Sequence, residues 1–486
     1  MFPPPIDIPD HLIRVDTPFH EQAIASSVTG SLLLEPPTYG KWKYEDFAVV
    51  DEEPVQMWSD IRLAEVLNVH PWRDRGYEGQ GVKLAVFDIE WFGEEFTPEL
   101  SQAKTHDCFV HPSCMMPIDP NGVHFSNERG KHGIACAQVV LDIAPKVDLH
   151  LVRVGSRTTF ENAVDWAIRE KIDVITMSLS FFNESFYDGT GPIAEQVERL
   201  NAAGVLLVTS AGNYARNHVR DSFQDVDLDG WHEFDHGSEY LPVYYTPGIH
   251  RVNFLWDEFG HCGISDFDIY IWSPSDLLVG KGLDEQSVDG SRCLSGERVV
   301  VTTEEEGWHY IQVRRNRGGV NATLDIMARG GRVYYNERDD SLTDPGSSPY
   351  AFTVGAANLE EYFSGSVEPF TSQSNRKPNI IGPDAISTPV YGGWGFYGTS
   401  ASTPAVAGLV SVLLSAYPDK SPFWAAQILQ NHAYIPVLSQ QSEIYLGSGY
   451  ARLPDPSSRG GCTKQGLFVP ILLLGLRKRR RRDQEK

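Results

Sequence analysis

Residues 172–213 read IDVITMSLSFFNESFYDGTGPIAEQVERLNAAGVLLVTSAGN, and the order of patterns in this stretch decides the fold. IDVITMSLS is a short, nearly continuous apolar run. IAEQVERLNAAG repeats apolar residues at intervals of three and four, and GVLLVTSAGN is again a short apolar run, entered through a glycine. Strand, helix, strand with continuously apolar strands is the signature of a parallel sheet covered on both faces. The alternation extends toward the N-terminus, where GQGVKLAVFD (79–88) and VDLHLVRV (147–154) read as strands and TFENAVDWAIREK (159–171) as an amphipathic helix. Beyond Asn213 it stops. RVNFLW, FDIYIW, RVVVTT, WHYIQVRR and ATLDIMA, separated by turn residues, predict an inserted β-sandwich over 216–340. YAFTVGAA (350–357) then restores the buried-strand character, and helices around residues 399–414 and 421–433 close the domain. The expected organisation is an N-terminal region 1–59 (a pro-segment or disordered), an α/β domain in two parts, 60–215 and 341–455, the insert between them, and a tail, 456–486.

With 486 residues, core size is not limiting, and a formal charge of −24 disfavours a phosphate-binding surface, so nucleic acid is excluded as the expected partner. The tail has its own character: residues 456–486 hold nine Lys/Arg against two acids. Its GGCTKQGLFVPILLLGLRKRRRR (460–482) has an apolar run of about half the ~20 residues a membrane helix needs. Gly-Gly-Cys, a short apolar stretch and a terminal basic block resemble bacterial C-terminal sorting tails; the competing reading is a basic extension that touches anionic lipid. The tail implies an extracytoplasmic, cell-surface or secreted protein with membrane contact through this segment. MFPPPIDIPDHLIRVDTPF at the start contains no standard secretion signal, which conflicts with that expectation. Cys108/Cys114 and Cys262/Cys293 are placed to form two disulfides, and Cys136 is expected to be a buried free thiol.

Four polar residues stand at the ends of the α/β elements. Asp88 closes a strand, His132 opens the small-residue helix HGIACAQVV, Asn213 closes LLVTSAGN, and Ser400 opens an apolar helix. Taken singly, each has a plain structural reading as a cap or a core hydrogen-bonding group. Jointly they occupy the carboxyl ends of parallel strands and adjacent helix N-termini, where open α/β sheets meet their ligands.

The flanking residues resemble the subtilisin-like serine peptidases, the subtilases. The resemblance rests on Gly398-Thr399-Ser400-Ala401-Ser402-Thr403-Pro404, Ala211-Gly212-Asn213, His132-Gly133, GVKLAVFD ending in Asp88, DVITMSLS and RKPNIIGPD. The order Asp, His, Ser is the subtilisin order. It implies a parallel sheet flanked by helices, interrupted here by the sandwich. It also implies a serine endopeptidase with Ser400 as nucleophile, His132 as general base, Asp88 as orienting carboxylate and Asn213 as oxyanion donor. Ser178, Leu179, Ser180, Ser210, Ala211 and Gly212 would line the substrate groove, taking a protein or peptide as an added antiparallel strand. No acidic residue lies in either segment, and Phe181 and Phe182 suggest an apolar preference. The chain is expected to act as a monomer. Departures from the family pattern fall at Ile89 and Glu90 after the aspartate, Ile134 in the histidine motif and Ala401 after the serine. They keep open a competing class, a catalytically inactive subtilase fold that binds a surface ligand through its insert.

Two further motifs concern metals; none is required for the chemistry. His232-Glu233-Phe234-Asp235-His236 matches H-E-x-x-H, but its turn-rich surroundings lack the helix that zinc binding needs. Asp225, Asp227 and Asp229, followed by Gly230, fit alternate carboxylates around a hard cation, so structural calcium is the expectation weighed against an acidic solvated turn.

Overall fold

The computed structural model describes residues 49–50, 55–56, 63–91, 98–118, 130–234, 237–259, 264–285, 295–319, 321–335, 338–364, 366–392, 394–436 and 445–456. Most of the N-terminal region, the tail with Cys462, the Cys262/Cys293 pair and Asp235–His236 lie outside them.

Seven parallel strands form the central sheet, in the spatial order Ile380–Asp384, Phe352–Asn358, Leu206–Ser210, Val174–Met177, Lys83–Asp88, Asp148–Arg153 and Lys104–Asp107. The strand Lys83–Asp88 has Asp148–Arg153 on one side and Val174–Met177, the next strand in sequence, on the other. The chain therefore reverses direction across the sheet there, and Asp88 stands at the switch point, where adjacent connections leave to opposite sides and open a crevice. Every residue of Val174–Met177 and Leu206–Ser210 is buried, which is why these strands read as unbroken apolar runs.

Two helices meet on one face of the sheet, His132–Ile143 and Thr399–Ala416. Their small residues set the approach: a Cβ on Gly408 would stand 2.7 Å from the Ile143 side chain, and one on Gly133 would stand 2.8 Å from Asp88 Cβ. Both distances are below any real Cβ contact, so these positions admit glycine only. The helix Thr399–Ala416 is buried from Thr399 to Leu414, and each of its Val and Leu side chains contributes roughly 1.5–3 kcal/mol of burial. It is long and apolar enough to cross a membrane, yet here it is the core of the domain. The other face carries Arg157–Glu170 and Pro192–Ala202, packed with Phe160, Trp166 and Val197 into a second apolar cluster. Ser156 caps the first of these helices, its hydroxyl accepting from the Thr159 amide.

Between residues 218 and 333 the chain builds two antiparallel sheets. One has five strands, in the order Leu278–Gly282, Asp266–Trp272, Gly307–Arg317, Leu241–Tyr245 and Arg332–Val333. The other has four, Gly296–Thr303, Gly248–Trp256, Thr323–Arg329 and His218–Ser222. Phe254, Trp256, Phe267, Ile269, Val313 and Ile326 fill the space between them. Gly296–Thr303 alternates buried and accessible residues along its length, as a half-buried sandwich strand must. The outward face of the four-stranded sheet packs Leu255 and Met327 against Phe182, Phe186, Tyr187 and Tyr214 of the α/β domain.

Cys108 and Cys114 form a disulfide, and Cys136 is a buried free thiol.

Candidate active site

Asp88, His132 and Ser400 are wholly buried. Asp88 Oδ2 lies 2.6 Å from His132 Nδ1, which fixes that nitrogen as the proton carrier. Nε2, the other ring nitrogen, is buried without a hydrogen-bond partner among the described residues. Burial alone would lower the imidazole pKa, but the Asp88 charge, with a smaller push from Cys136, outweighs it and raises the value well above 6.5. The ring edge meets Phe396 at a centroid distance of 5.4 Å, which limits its rotation.

The altered residues after the aspartate act through their backbone. The Glu90 amide donates to Asp88 Oδ1 at 3.0 Å, and the Glu90 carbonyl accepts from the Gly133 amide at 3.1 Å. Glu90 thus ties the aspartate segment to the histidine helix with groups every residue possesses, so its unusual side chain leaves these bonds intact. Ile89 packs against the second core cluster. Ile134 is buried in the first, on the apolar side of its helix.

Ser400 sits in the first turn of its helix, and Pro404 lies four residues on. Proline has no amide hydrogen, so the Ser400 carbonyl loses its usual helical donor. Ser178 Oγ replaces it at 3.0 Å, and Cys136 Sγ, 3.9 Å from His132 Nδ1, approaches the same carbonyl at 3.8 Å. The histidine helix, the serine helix and the strand end at Met177 are joined at this one oxygen. Asn213 is held from the other side: its Oδ1 accepts from the Thr399 amide at 3.1 Å and from the Thr399 hydroxyl at 3.0 Å. With the oxygen committed to the serine turn, the NH₂ of the amide is turned away from it.

Of the six groove residues, Leu179 turns its side chain into the second core cluster, so only its backbone is available at the groove. Ser180 Oγ accepts from Thr343 Oγ1 at 2.9 Å. Ala211 donates to the Val354 carbonyl, Gly212 donates to Thr399 Oγ1 at 3.2 Å, and Ser210 Oγ is buried without a partner among the described residues. Phe181 is a core residue with its ring tilted against Phe160, whereas Phe182 lies edge-on to Tyr214 at 5.3 Å.

Sequence reasoning missed two features. Val49–Val50 pairs antiparallel with Leu179–Ser180, with Val50 opposite Leu179 and Val49 opposite Ser180. Val55–Gln56 then pairs with Trp394–Phe396, just before the serine turn. Two short pieces of the chain's own N-terminal region therefore pair with the groove strand and with the strand before the serine turn. A two-residue strand has no periodicity, so no sequence signal marked it. The second feature is Asp384, the last residue of RKPNIIGPD, whose Oδ2 accepts from the Gly398 amide at 3.0 Å; burial, then the Glu368 charge, raise its pKa well above the usual carboxylate range.

The metal motifs separate from this centre. His232 is buried in the sandwich, its ring 4.5 Å from Phe234 and its Nδ1 accepting from the Gln224 amide at 3.1 Å, with no helix around it. Asp225, Asp227 and Asp229 each bring one carboxylate oxygen within 4.8 Å of the others. Asp225 also holds Arg315 at 2.7 Å, and backbone amides of the same turn donate to all three residues.

A seven-stranded parallel sheet with an aspartate at its switch point and buried histidine and serine helices defines a subtilisin-like α/β protein. The chain belongs to the subtilase family, whose model matches residues 80–230 and 300–449, more than half of the chain. The gap between the matched parts falls within the sandwich. A thermostable alkaline protease of Halalkalibacterium halodurans is 29% identical over 165 residues, 32% of this chain and 41% of that relative. Subtilisin E of Bacillus subtilis is 28% identical over 146 residues, 29% of this chain and 36% of its own. The chain thus aligns with less than half the length of these relatives. In solved structures, the CspB protease of Clostridium perfringens shares the fold at a TM-score of 0.54 and 15% identity, covering 80% of this chain and 97% of its own.

Proposed function

We propose that the chain is a serine endopeptidase acting on protein or peptide substrates through Ser400, His132, Asp88 and Asn213. The observation that carries this is the His132 ring: Nδ1 is taken by Asp88 at 2.6 Å, and Nε2 is left as the one basic nitrogen able to accept a proton. Ser400 Oγ attacks the scissile carbonyl and gives its proton to Nε2; the imidazolium, stabilised by Asp88, returns that proton to the leaving amine. Water then repeats the sequence on the acyl-enzyme. Charge on the tetrahedral oxygen is met by the Asn213 amide and the Ser400 N–H at the helix N-terminus. Losing such an amide costs about 2.7–4 kcal/mol in subtilisin.

The antiparallel pairing of Val49–Val50 on Leu179–Ser180 supports a groove that takes an extended chain by strand addition. In this reading Val49–Val50 occupies the substrate path and must leave before a substrate enters. The test compares wild type with Ser400→Ala for covalent labelling by a fluorophosphonate and for casein hydrolysis. Labelling and hydrolysis by wild type alone support the proposal. A folded wild type from which the 1–59 region has been released, and which neither labels nor hydrolyses, sinks it.

A further inference from the structure

The two sheets of the sandwich are placed differently. The four-stranded sheet lies against the α/β domain through Leu255 and Met327, so the outward face of the five-stranded sheet points away from it. Alternation along the strands decides what reaches that face. Val243, Ile271 and Ile311 point into the sandwich core, and Tyr244, Trp272, Trp308 and Tyr310 therefore point out. Tyr244 stands opposite Trp308, and Tyr310 stands between Trp272 and Pro242. The rings of Tyr244 and Tyr334 each meet that of Trp308 edge-on, at a centroid distance of 5.4 Å. All these rings are half-buried, so each keeps part of its surface open to solvent.

Three carboxylates frame the rings. Glu306 accepts from the Tyr244 hydroxyl at 2.7 Å, and Glu239 accepts from Gln312 Nε2 at 3.5 Å. Asp276 reaches Tyr310 by its charge, which adds to burial in raising the phenol pKa. Negative charge is crowded here: burial, then Asp229, Asp227 and Glu233, push the Glu239 carboxyl up. The cations of this face stand at its margins or are matched. Lys281 and Arg332 are on the two edge strands, and Arg314 is opposite Asp268. Arg314 also lies 5.5 Å from the centre of the Trp231 ring, so the sheet already holds one guanidinium between an aromatic ring and a carboxylate. The rings and acids around Trp308 offer the same combination to a cation from outside. Ring faces attract it, carboxylates take its N–H groups, and its alkyl stem covers apolar ring surface. A neutral glycan gains stacking but brings no charge to the crowded carboxylates, and an acidic partner is repelled by a chain at −24.

We infer that the outward face of the five-stranded sheet, around Tyr244, Trp308 and Tyr310, is a docking surface for an arginine- and lysine-rich segment of a partner polypeptide. It does not depend on the peptidase reading. The test measures binding to the full chain carrying Ser400→Ala by anisotropy of a fluorescent peptide of alternating Arg and Ser, about eight residues long, enough to cross the five strands. A control peptide carries citrulline for arginine, which keeps the shape and removes the charge. At low salt the arginine peptide is expected to bind about tenfold more tightly than the control, with the ratio shrinking as salt is added. E239Q/E306Q, which preserves side-chain size, lowers the ratio to about threefold, and E239Q/E306Q/W308A, shown folded by circular dichroism, brings it to about one. The same change of charge on helices of the α/β domain, E65Q/E195Q, leaves it at about tenfold, which separates this face from general attraction to an acidic chain. A ratio that survives in E239Q/E306Q and in the folded triple variant, or that falls as far in E65Q/E195Q, overturns the inference. Equal binding of the arginine and citrulline peptides overturns it as well, and if cellohexaose then binds and is lost in Trp308→Ala, the face is a glycan platform. If the arginine peptide binds only after residues 477–482 are replaced by glutamine, the occupant is the chain's own basic tail, and the assignment to a partner fails.

Discussion

Each half of this molecule buries a histidine against an aspartate, and the two pairs have opposite surroundings. In the α/β domain His132 Nδ1 meets Asp88 at 2.6 Å, and nothing among the described residues binds Nε2. In the sandwich His218 Nε2 meets Asp325 at 2.9 Å, and Arg220 closes on the same carboxylate oxygen at 2.7 Å. The second pair is a three-membered structural lock, its carboxylate held below the usual range because His218 and Arg220 together overcome the effect of burial. The first keeps a basic nitrogen in reserve, and its histidine helix packs on the helix that carries Ser400 in its first turn. A buried His–Asp pair thus becomes a candidate for chemistry through what its far nitrogen is left to do, and burial alone does not distinguish the two.

Breaking each pair should separate the two roles. His132→Ala is expected to lower kcat by about 10⁶-fold, the size subtilisin itself shows for loss of its base. Asp325→Ala should act on stability and spare turnover. It leaves Arg220 and His218 buried without their anion and costs roughly 3–5 kcal/mol in urea unfolding, while activity per folded molecule is kept. If Asp325→Ala abolishes turnover in protein shown to be folded, the assignment of the sandwich pair as structural is wrong.

The pairs should also respond to pH with opposite sign. His132 has a folded pKa raised above 6.5, so its contribution to stability is complete below 6.5 and is lost as pH rises through the folded value. Asp325 is depressed below 3.8, so its contribution is present above 3.8 and is lost as pH falls through the folded value. For catalysis the neutral imidazole is needed, which places the acid limb of kcat/KM above 6.5. Asp88→Asn removes the group that raises the pKa and leaves burial, which lowers it. The limb should move to lower pH as kcat falls by about 10⁴-fold. A limb that stays in place in Asp88→Asn shows that Asp88 does not set the His132 pKa.

The same contrast separates what the sequence could disclose from what it could not. Asp88, His132, Asn213 and Ser400 were legible because strand ends and helix starts carry local patterns, and GTSASTP is a specific one. The sandwich strands were legible as period-two runs such as RVVVTT. Glu90 was read as a departure, because hydrogen bonds made by a backbone amide and carbonyl leave no trace in side-chain identity. That Leu179 offers the groove its backbone while its side chain enters the core is not legible, since a strand sequence does not say which face is the core until its neighbours are known. Cys136 is a buried free thiol as its small-residue helix predicts, but its approach to the Ser400 carbonyl depends on Pro404, which lies 268 residues away along the chain.

Asp384 yields the smallest expected effect and the finest test of the active-site half. Its carboxyl is buried beneath the serine turn, accepts from the Gly398 amide and keeps its proton well above pH 3.8. The unfolded chain releases that proton near 3.8, so the folded state is penalised as pH rises from there toward the folded pKa. An asparagine retains a carbonyl oxygen for Gly398 and carries no proton to lose. Asp384→Asn should therefore gain stability by about 1 kcal/mol at neutral pH, with a smaller gain near pH 4, and retain turnover. Asp384→Leu, which cannot accept from Gly398, should lower kcat through the serine turn while leaving KM nearly unchanged. If thermal melts of Asp384→Asn show the same gain at both pH values, the carboxyl ionises alike in both states, and the turn rests on the hydrogen bond without a protonated acid beneath it.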